Sequence, residues 1–391
     1  SFWRYNIPGR PFLPPALGIL FYAGIGLALW QVFRPEKRPF TAAASLLALL
    51  WLGGGLAPVL ITGPDLAVTQ AIGLQPVLYL FPALALDRLT HFTWGKQIVP
   101  WLAIGLYGLT ALFTVRDYFF VWANHPEVRV QYETTMVTAL QFVANQPEPT
   151  TAVSTITPAP FHSPAIARLI PDVPVNDLRW FDARASLLIP RAPIVRLIIP
   201  GFTPIAPELR PYLEMATLTH TIPMRPDDLD RPIWIYEMDT NAAQTAWLDN
   251  FLWPDGLSAP VWIGDNLQFL GYVLSETAVR PGDTVALITW WQVERPLPNA
   301  VLFTHLLAQN GRPLAQTDRL DAPGALWQRG DWLIQLHLLT IPANTPAGQY
   351  PLVTGLYTNP DGLSPQPRLP ITANHKPTGD TITLTTLTVT P

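Results

Sequence analysis

Four long uncharged windows fill the first 116 residues and constrain this chain more than any other feature. Residues 11–33, 41–64, 66–86 and 97–115 contain no Asp, Glu, Lys or Arg. The hydrocarbon core of a bilayer needs about 20 predominantly apolar residues per helix. Four consecutive windows of that length predict four membrane spans, at about 11–33, 41–63, 68–87 and 97–116. Charged residues make up 13% of the whole chain, roughly half the globular norm of ~25%, and these windows account for much of the deficit.

Lys and Arg in short loops set the orientation of spans. The loop after the first window, "FRPEKRPF", carries Arg34, Lys37 and Arg38, and the loop before the fourth carries Arg88 and Lys96. The loop between the second and third, "TGPDLAVTQAIG", has neither residue type. Residues 34–38 and 87–96 are therefore expected to be cytoplasmic. The N-terminus and everything after Arg116 are expected outside, although Arg4 and Arg10 run against this bias. Tyr118, Phe119, Phe120 and Trp122 then read as an aromatic belt at the outer end of the fourth span.

Pro14 and Pro15 suit a helix start. Gly53, Gly54 and Gly55 allow close helix approach or a kink in the second span. Gln75, Pro76 and Pro82 predict a bent or partly re-entrant third span. No ionisable residue lies deep in any window, which argues against a proton relay, an ion pathway or a gating charge.

Past residue 126 the pattern changes. Met136, Val137, Leu140, Val143 and Ala144 recur at helical spacing, and a single helix is expected from Val128 to Asn145 with Val137 and Leu140 buried. Short apolar runs such as "TAVSTI", "IVRLIIP" and "PIWIYEM" alternate with helix-like segments, which reads as an α/β domain over 126–245. From 250 to 391 the chain reads as a β-sandwich: "TVALITWWQV", "AVLFTHLLAQ" and "DWLIQLHLLTI" are separated by turn chemistry, and Asn310-Gly311 is a hairpin signal. The fold class is thus a membrane protein, with a helical region over 1–125 followed by two external domains.

Several chemistries are excluded or unsupported. The chain has no cysteine, so disulfides and thiol nucleophiles are absent. No basic block marks a nucleic-acid partner. "STITPAPFHSP" after the first strand of the α/β domain is not a phosphate loop, so no dinucleotide or nucleotide cofactor is implied. No Gly-x-Ser-x-Gly elbow occurs. His305 and His337, with Asp318, Asp321 and Asp331 nearby in sequence, are candidates for a metal or acid–base site, but a structural role is favoured and no metal is assigned. Trp290 and Trp327 are the candidate sugar contacts, with core packing as the competing role.

Two stretches carry a resemblance: "VRDYFFVWANHPEVRVQYETTMVTALQFV" and "LFTHLLAQNGRPLAQTDRLDAPGALWQRGDWLIQLHLLTIPANTPAGQYPLVTGLY". The first resembles the junction between the last membrane helix and the external domain in bacterial polytopic glycosyltransferases. These are of the dolichyl-phosphate-mannose protein mannosyltransferase type, in the GT-C superfamily. The second is similar to the β-sandwich that closes many of those chains, and "LQPVLYLFPALAL" resembles the family's late helix with two prolines. Gln75 stands about where that family often has Arg. The resemblance implies sugar transfer from a polyprenyl-phosphate donor outside the cytoplasm. The family's acidic base lies in its first external loop, and Asp65 does not match it by topology, so no catalytic residue is carried over. The Ser at position 1 and the small number of spans lead to the expectation of a C-terminal portion of such a protein. The competing expectation is a non-catalytic scaffold subunit of a larger membrane assembly. Either way the expected location is the plasma membrane, with the bilayer, a lipid-linked sugar and other membrane subunits as partners.

Overall fold

The computed structural model describes residues 3–4, 6–34, 39–63, 71–360, 362 and 367–391. Asp65 and the loop residues 35–38 lie outside the described residues. The chain divides into two compact units, Ser1–Tyr132 and Glu133–Pro391.

The first unit is helical. Its main helices are α1 (Pro15–Val32), α2 (Pro39–Thr62), α3 (Gln75–Thr90) and α4 (Gly95–Val115). Among the described residues, three helices are long and apolar enough to cross a membrane: Pro15–Val32, Phe40–Thr62 and Gly95–Trp122. The third expected window differs. A short 3-10 turn (Ile72–Leu74) leads into α3, which has 16 residues. At ~1.5 Å per residue such a helix spans about 24 Å, less than a hydrocarbon core of about 30 Å. The start of that window, residues 64–70, lies outside the described residues.

Small residues decide how these helices meet. Gly24 of α1 faces the backbone of Phe81 in α3, where a Cβ would sit 2.0 Å from the Phe81 carbonyl oxygen. Only glycine permits that approach, and Phe21 packs edge-on against the Phe81 ring beside it. Of the glycine triplet in α2, only Gly55 abuts a neighbour, Leu74; Gly53 and Gly54 face open space.

The α-helical part of the last span stops at Val115, but the rod continues as a π-helix from Arg116 to Trp122. A short helix α5 (Pro126–Gln131) follows. The expected single helix from Val128 to Asn145 is broken at Glu133, whose φ of 58° is left-handed. Helix α6 (Thr134–Asn145) restarts in the second unit, with Leu140 buried and Val137 half-buried.

Among the described residues the second unit holds three sheets. The first contains β1 (Thr150–Ser154), β2 (Arg179–Phe181), β4 (Ile194–Pro200), β5 (Ala216–Ile222) and β6 (Ile233–Asp239), in the order β2-β1-β4-β6-β5. Its β2, β1 and β4 run parallel. Strand β4 is buried along nearly its whole length, as a sheet covered on both faces requires. On one face Val153 and Ile198 cluster with Met136, Leu140 and Val143 of α6 and with Ala167 of α7 (Ser163–Ala167).

A seven-stranded sheet joins β3 (Ser186–Ile189), β7 (Val261–Ile263), β8 (Leu267–Leu274), β10 (Thr284–Val293), β13 (Trp332–Thr340), β15 (Ile371–Ala373) and β16 (Lys376–Gly379). A five-stranded sheet joins β9 (Ala278–Val279), β11 (Ala300–Leu307), β12 (Pro313–Arg319), β14 (Gly348–Thr358) and β17 (Ile382–Val389). Both sheets feed one buried cluster, which includes Leu287, Trp291 and Leu339 from the larger and Leu302, Leu356 and Leu387 from the smaller. The Tyr272 hydroxyl donates to the Leu384 carbonyl at 3.0 Å, tying the two together.

The expected boundary between 245 and 250 is not a break. Strand β3, from the expected α/β segment, pairs antiparallel with β13 from the expected sandwich. Helix α8 (Thr240–Leu248) places Trp247 in the same cluster as Trp290 and Trp332. The physical reason is that β10 is apolar on both faces, so one face must be covered from upstream in the chain.

Candidate functional site

The site lies in the helical unit, where α1, α3 and α4 leave a cleft of about 610 Å³. Its walls are apolar: Leu17 from α1, Pro82 and Leu86 from α3, and Leu106, Tyr107 and Val115 from α4. The opening exists because facing positions carry small side chains, Ala83 on α3 and Ala103 and Ala111 on α4.

Thr114 also lines a second cleft of about 390 Å³, where polar side chains join Ile7, Phe12 and Ile72. Here Arg10, Gln75, Asp117, Tyr118 and Trp122 converge. The Arg10 guanidinium lies 3.1 Å from the Asp117 carboxylate, and that of Arg116 lies 3.6 Å from it. Two cations sharing one anion leave the group with a formal charge of +1.

Residues at the start of the chain hold this second cleft in place. The Trp122 indole donates to the Trp3 carbonyl at 2.6 Å, and the Tyr132 hydroxyl donates to the Arg4 carbonyl at 3.1 Å. Trp3 stacks on His125 with ring centroids 3.5 Å apart, and Tyr118 stacks on Trp122 at 5.0 Å. The π-helical turn sets the azimuth of Asp117, Tyr118 and Trp122; such turns are frequent at functional sites.

The apolar cleft and the pocket that holds the Arg10–Asp117 pair meet at Thr114, the residue that lines both. Gln75 lines that pocket, a position singled out in the sequence. Arg10 does too, although sequence reasoning treated it only as a stray external charge. Its signal was its place directly before the first uncharged window, five positions ahead of the start of α1 at Pro15.

The other sequence candidates lie in the second unit. Trp290 and Trp327 are both buried and present no ring face to solvent, the arrangement expected for core packing. Trp290 is packed by Phe251, Tyr212 and Trp247 at centroid distances of 4.6, 4.7 and 5.1 Å. The Trp327 indole donates to the Ala322 carbonyl at 3.0 Å.

The His and Asp candidates separate into distinct structural pairs. His305 Nε2 lies 2.8 Å from Asp318, which also accepts from the Tyr357 hydroxyl at 3.1 Å. Burial would raise the Asp318 carboxyl, but the His305 and Tyr357 hydrogen bonds and the His305 and Arg368 charges hold it below the usual carboxylate range. Burial and the Asp318 charge push the Tyr357 phenol up to about 12. His337 instead meets Thr289 at 3.3 Å. Asp331 pairs with Arg179 at 2.6 Å, and Asp321 accepts from Gln335 at 2.7 Å. Among the described residues no cluster of His, Cys, Asp and Glu is able to hold a metal ion.

No protein-family model and no curated protein matches this chain. Among solved structures, the C-terminal domain of Wzt is similar at 14% identity and a TM-score of 0.26, over 36% of this chain and 81% of that one. A Niemann-Pick type C2 protein from the Japanese carpenter ant is similar at 7% identity and a TM-score of 0.22, over 36% of this chain and all of that one. A β-glucuronidase from glycoside hydrolase family 2 is similar at 13% identity and a TM-score of 0.17, over 40% of this chain and 14% of that one.

Proposed function

We propose that this chain is the C-terminal portion of a membrane glycosyltransferase-like protein that binds a polyprenyl-phosphate-linked sugar outside the cytoplasm. The observation that supports this reading is the pair of clefts that share Thr114, one apolar and one holding the Arg10–Asp117 ion pair. An isoprenoid chain suits the first, and a phosphate suits Arg10 in the second, in exchange for its Asp117 partner. In this reading α3, with its preceding 3-10 turn, is a fourth, short span. The protein sits in the plasma membrane, with Phe119, Phe120 and Trp122 at headgroup level. The seven- and five-stranded sheets form an external β-sandwich that faces acceptor or envelope.

Native mass spectrometry of the purified full chain with added polyprenyl phosphate tests the reading. A bound lipid is expected, with about tenfold weaker retention, about 1.4 kcal/mol, for Arg10→Gln and for the cleft-filling Ala111→Trp. Retention unchanged by both variants would sink it. Sidedness has its own test, helped by the absence of native cysteine. Glu36→Cys is expected to need a membrane-permeant thiol reagent, and Asn310→Cys to react with an impermeant one; the reverse pattern inverts the topology.

A scaffold role is the second reading, and one observation favours it. The Gly95–Trp122 helix has only 6% of its most apolar window buried, which leaves most of its surface for partner helices. A photo-crosslinker at Ile104 is expected to capture protein in a native membrane under this reading, and only lipid under the first.

A further inference from the structure

We infer that a polar cleft beside the start of α8 is a binding site for an acidic oligosaccharide. It has a volume of about 500 Å³, within the range of roughly 300–1,000 Å³ typical of ligand pockets. It belongs wholly to the second unit and does not depend on the lipid reading of the helical one.

Four chain segments build it: the turn after β3 with Arg191, the first turns of α8 with Asn241 and Gln244, the end of β10 with Gln292 and Glu294, and the turn before β13 with Arg329. The segments are fixed before any ligand arrives. Asp331 is fully buried and accepts from Arg179 Nε at 2.6 Å, from the Gln328 amide at 2.8 Å and from the Arg191 amide at 3.3 Å. The Thr240 hydroxyl donates to the Ala192 carbonyl at 2.6 Å, clamping α8 to the Arg191 turn. Gly330 has a φ of +87°, and a Cβ there would lie 2.4 Å from Arg191 Cδ. The aliphatic stem of Arg191 therefore lies across a glycine, which aims its guanidinium into the cleft.

The lining chemistry selects the ligand. Three side-chain amides offer both donors and acceptors, as the hydroxyls of a sugar require. Arg329 is already paired with Glu294 at 2.5 Å. Among the described residues Arg191 has no carboxylate partner, so the cleft holds one uncompensated cation. The N-terminal amides of α8 are not the anion site, because the Asp239 carboxylate already accepts from Asn241 and Ala242. One free guanidinium among spread amides fits a polyhydroxylated chain with a single carboxylate at that point, rather than a compact phosphate. The sequence-level sugar candidates Trp290 and Trp327 lie in the core, so this cleft relocates the sugar contact.

Calorimetric titration of the full chain in lipid nanodiscs tests the assignment, with trigalacturonic acid, maltotriose and inorganic phosphate as probes. Saturable binding of the acidic trisaccharide is expected, at least tenfold tighter than maltotriose or phosphate. Arg191→Gln should weaken it tenfold or more without moving the unfolding midpoint, and Glu294→Gln should tighten it. Arg10→Gln should leave it unchanged, which separates this site from the lipid cleft. Absence of saturable binding at millimolar trisaccharide, equal binding of maltotriose or phosphate, or indifference to Arg191→Gln each overturns the assignment.

Discussion

Tyr107 on α4 and Trp290 on β10 are large aromatic side chains on regular elements, yet the first is 80% exposed and the second 0%. The contrast extends to their units. Among the described residues, the buried apolar cluster of the helical unit comprises six, including Ala28, Leu52 and Phe81. That of the β-rich unit runs through sheets, helices and turns. A strand that leaves Trp290 in water loses its burial energy, so the chain must close over it. A helix that presents Tyr107, Ile104 and Leu112 to hydrocarbon loses nothing by exposure. The two units thus have different sources of cohesion: internal packing in one, the surroundings in the other.

That comparison can be tested in descending order of effect. Asp331→Ala leaves the buried Arg179 cation without its partner, and unfolding of the β-rich unit in urea is expected to show a loss of about 3–5 kcal/mol. Adding Arg179→Met to the same chain should recover part of that loss. Trp290→Ala opens a cavity between Tyr212, Trp247 and Phe251, with an expected cost of at least ~3 kcal/mol by the same measurement. If the cost is below ~1 kcal/mol, the core is far more plastic than its packing implies.

The third test uses pH. Complete burial, and then the Arg319 charge, lower the His337 pKa to about 3 from 6.5, with Asp318 opposing. The unfolded chain takes up this proton near pH 6.5, whereas the folded chain resists it until about pH 3. Stability from this group is therefore complete above 6.5 and declines as pH falls, by up to about 1.4 kcal/mol per pH unit between the two values. His337→Gln should flatten the stability profile between pH 6 and pH 4; an unchanged slope would mean that the imidazole is not the group responsible. The smallest effect belongs to the helical unit. Tyr107→Ala is expected to change thermal stability in nanodiscs by no more than about 0.5 kcal/mol, and a loss as large as that for Trp290→Ala would erase the distinction between the units.

Features encoded locally were legible in the sequence. The β11–β12 hairpin closes at Asn310-Gly311, with Gly311 at a φ of +75°. The 3.6-residue spacing in α6 marked Leu140 as buried, as it is beside Met136 and Val143, but Val137, expected with it, is only half-buried. Three of the four uncharged windows became helices long enough to cross a membrane. What stayed hidden depends on distant partners. "TWWQV" alternates Trp290 and Trp291 across a strand, and nothing local says that both faces are covered. Glu133 carries no glycine-like signal for its left-handed backbone. Arg10 and Asp117 lie at opposite ends of the helical unit's sequence, so their ion pair follows from packing alone. The cleft around Arg191 is likewise assembled from four separate segments, none of which resembles a binding motif.

The pairing of β3 with β13 also has a temporal side. Among the described residues strand β3 has no other partner in its sheet, and it leaves the ribosome long before Trp332–Thr340 is made. At translation speeds of about 5–20 residues per second, "SLLI" waits several seconds as an apolar strand with an unsatisfied edge, a state prone to wrong association. The closing contacts of this unit are non-local, which slows folding. Nascent chains stalled before residue 332 should therefore bind holding factors that the finished protein no longer recruits, and separately expressed 126–245 and 250–391 fragments should each carry an orphaned strand edge.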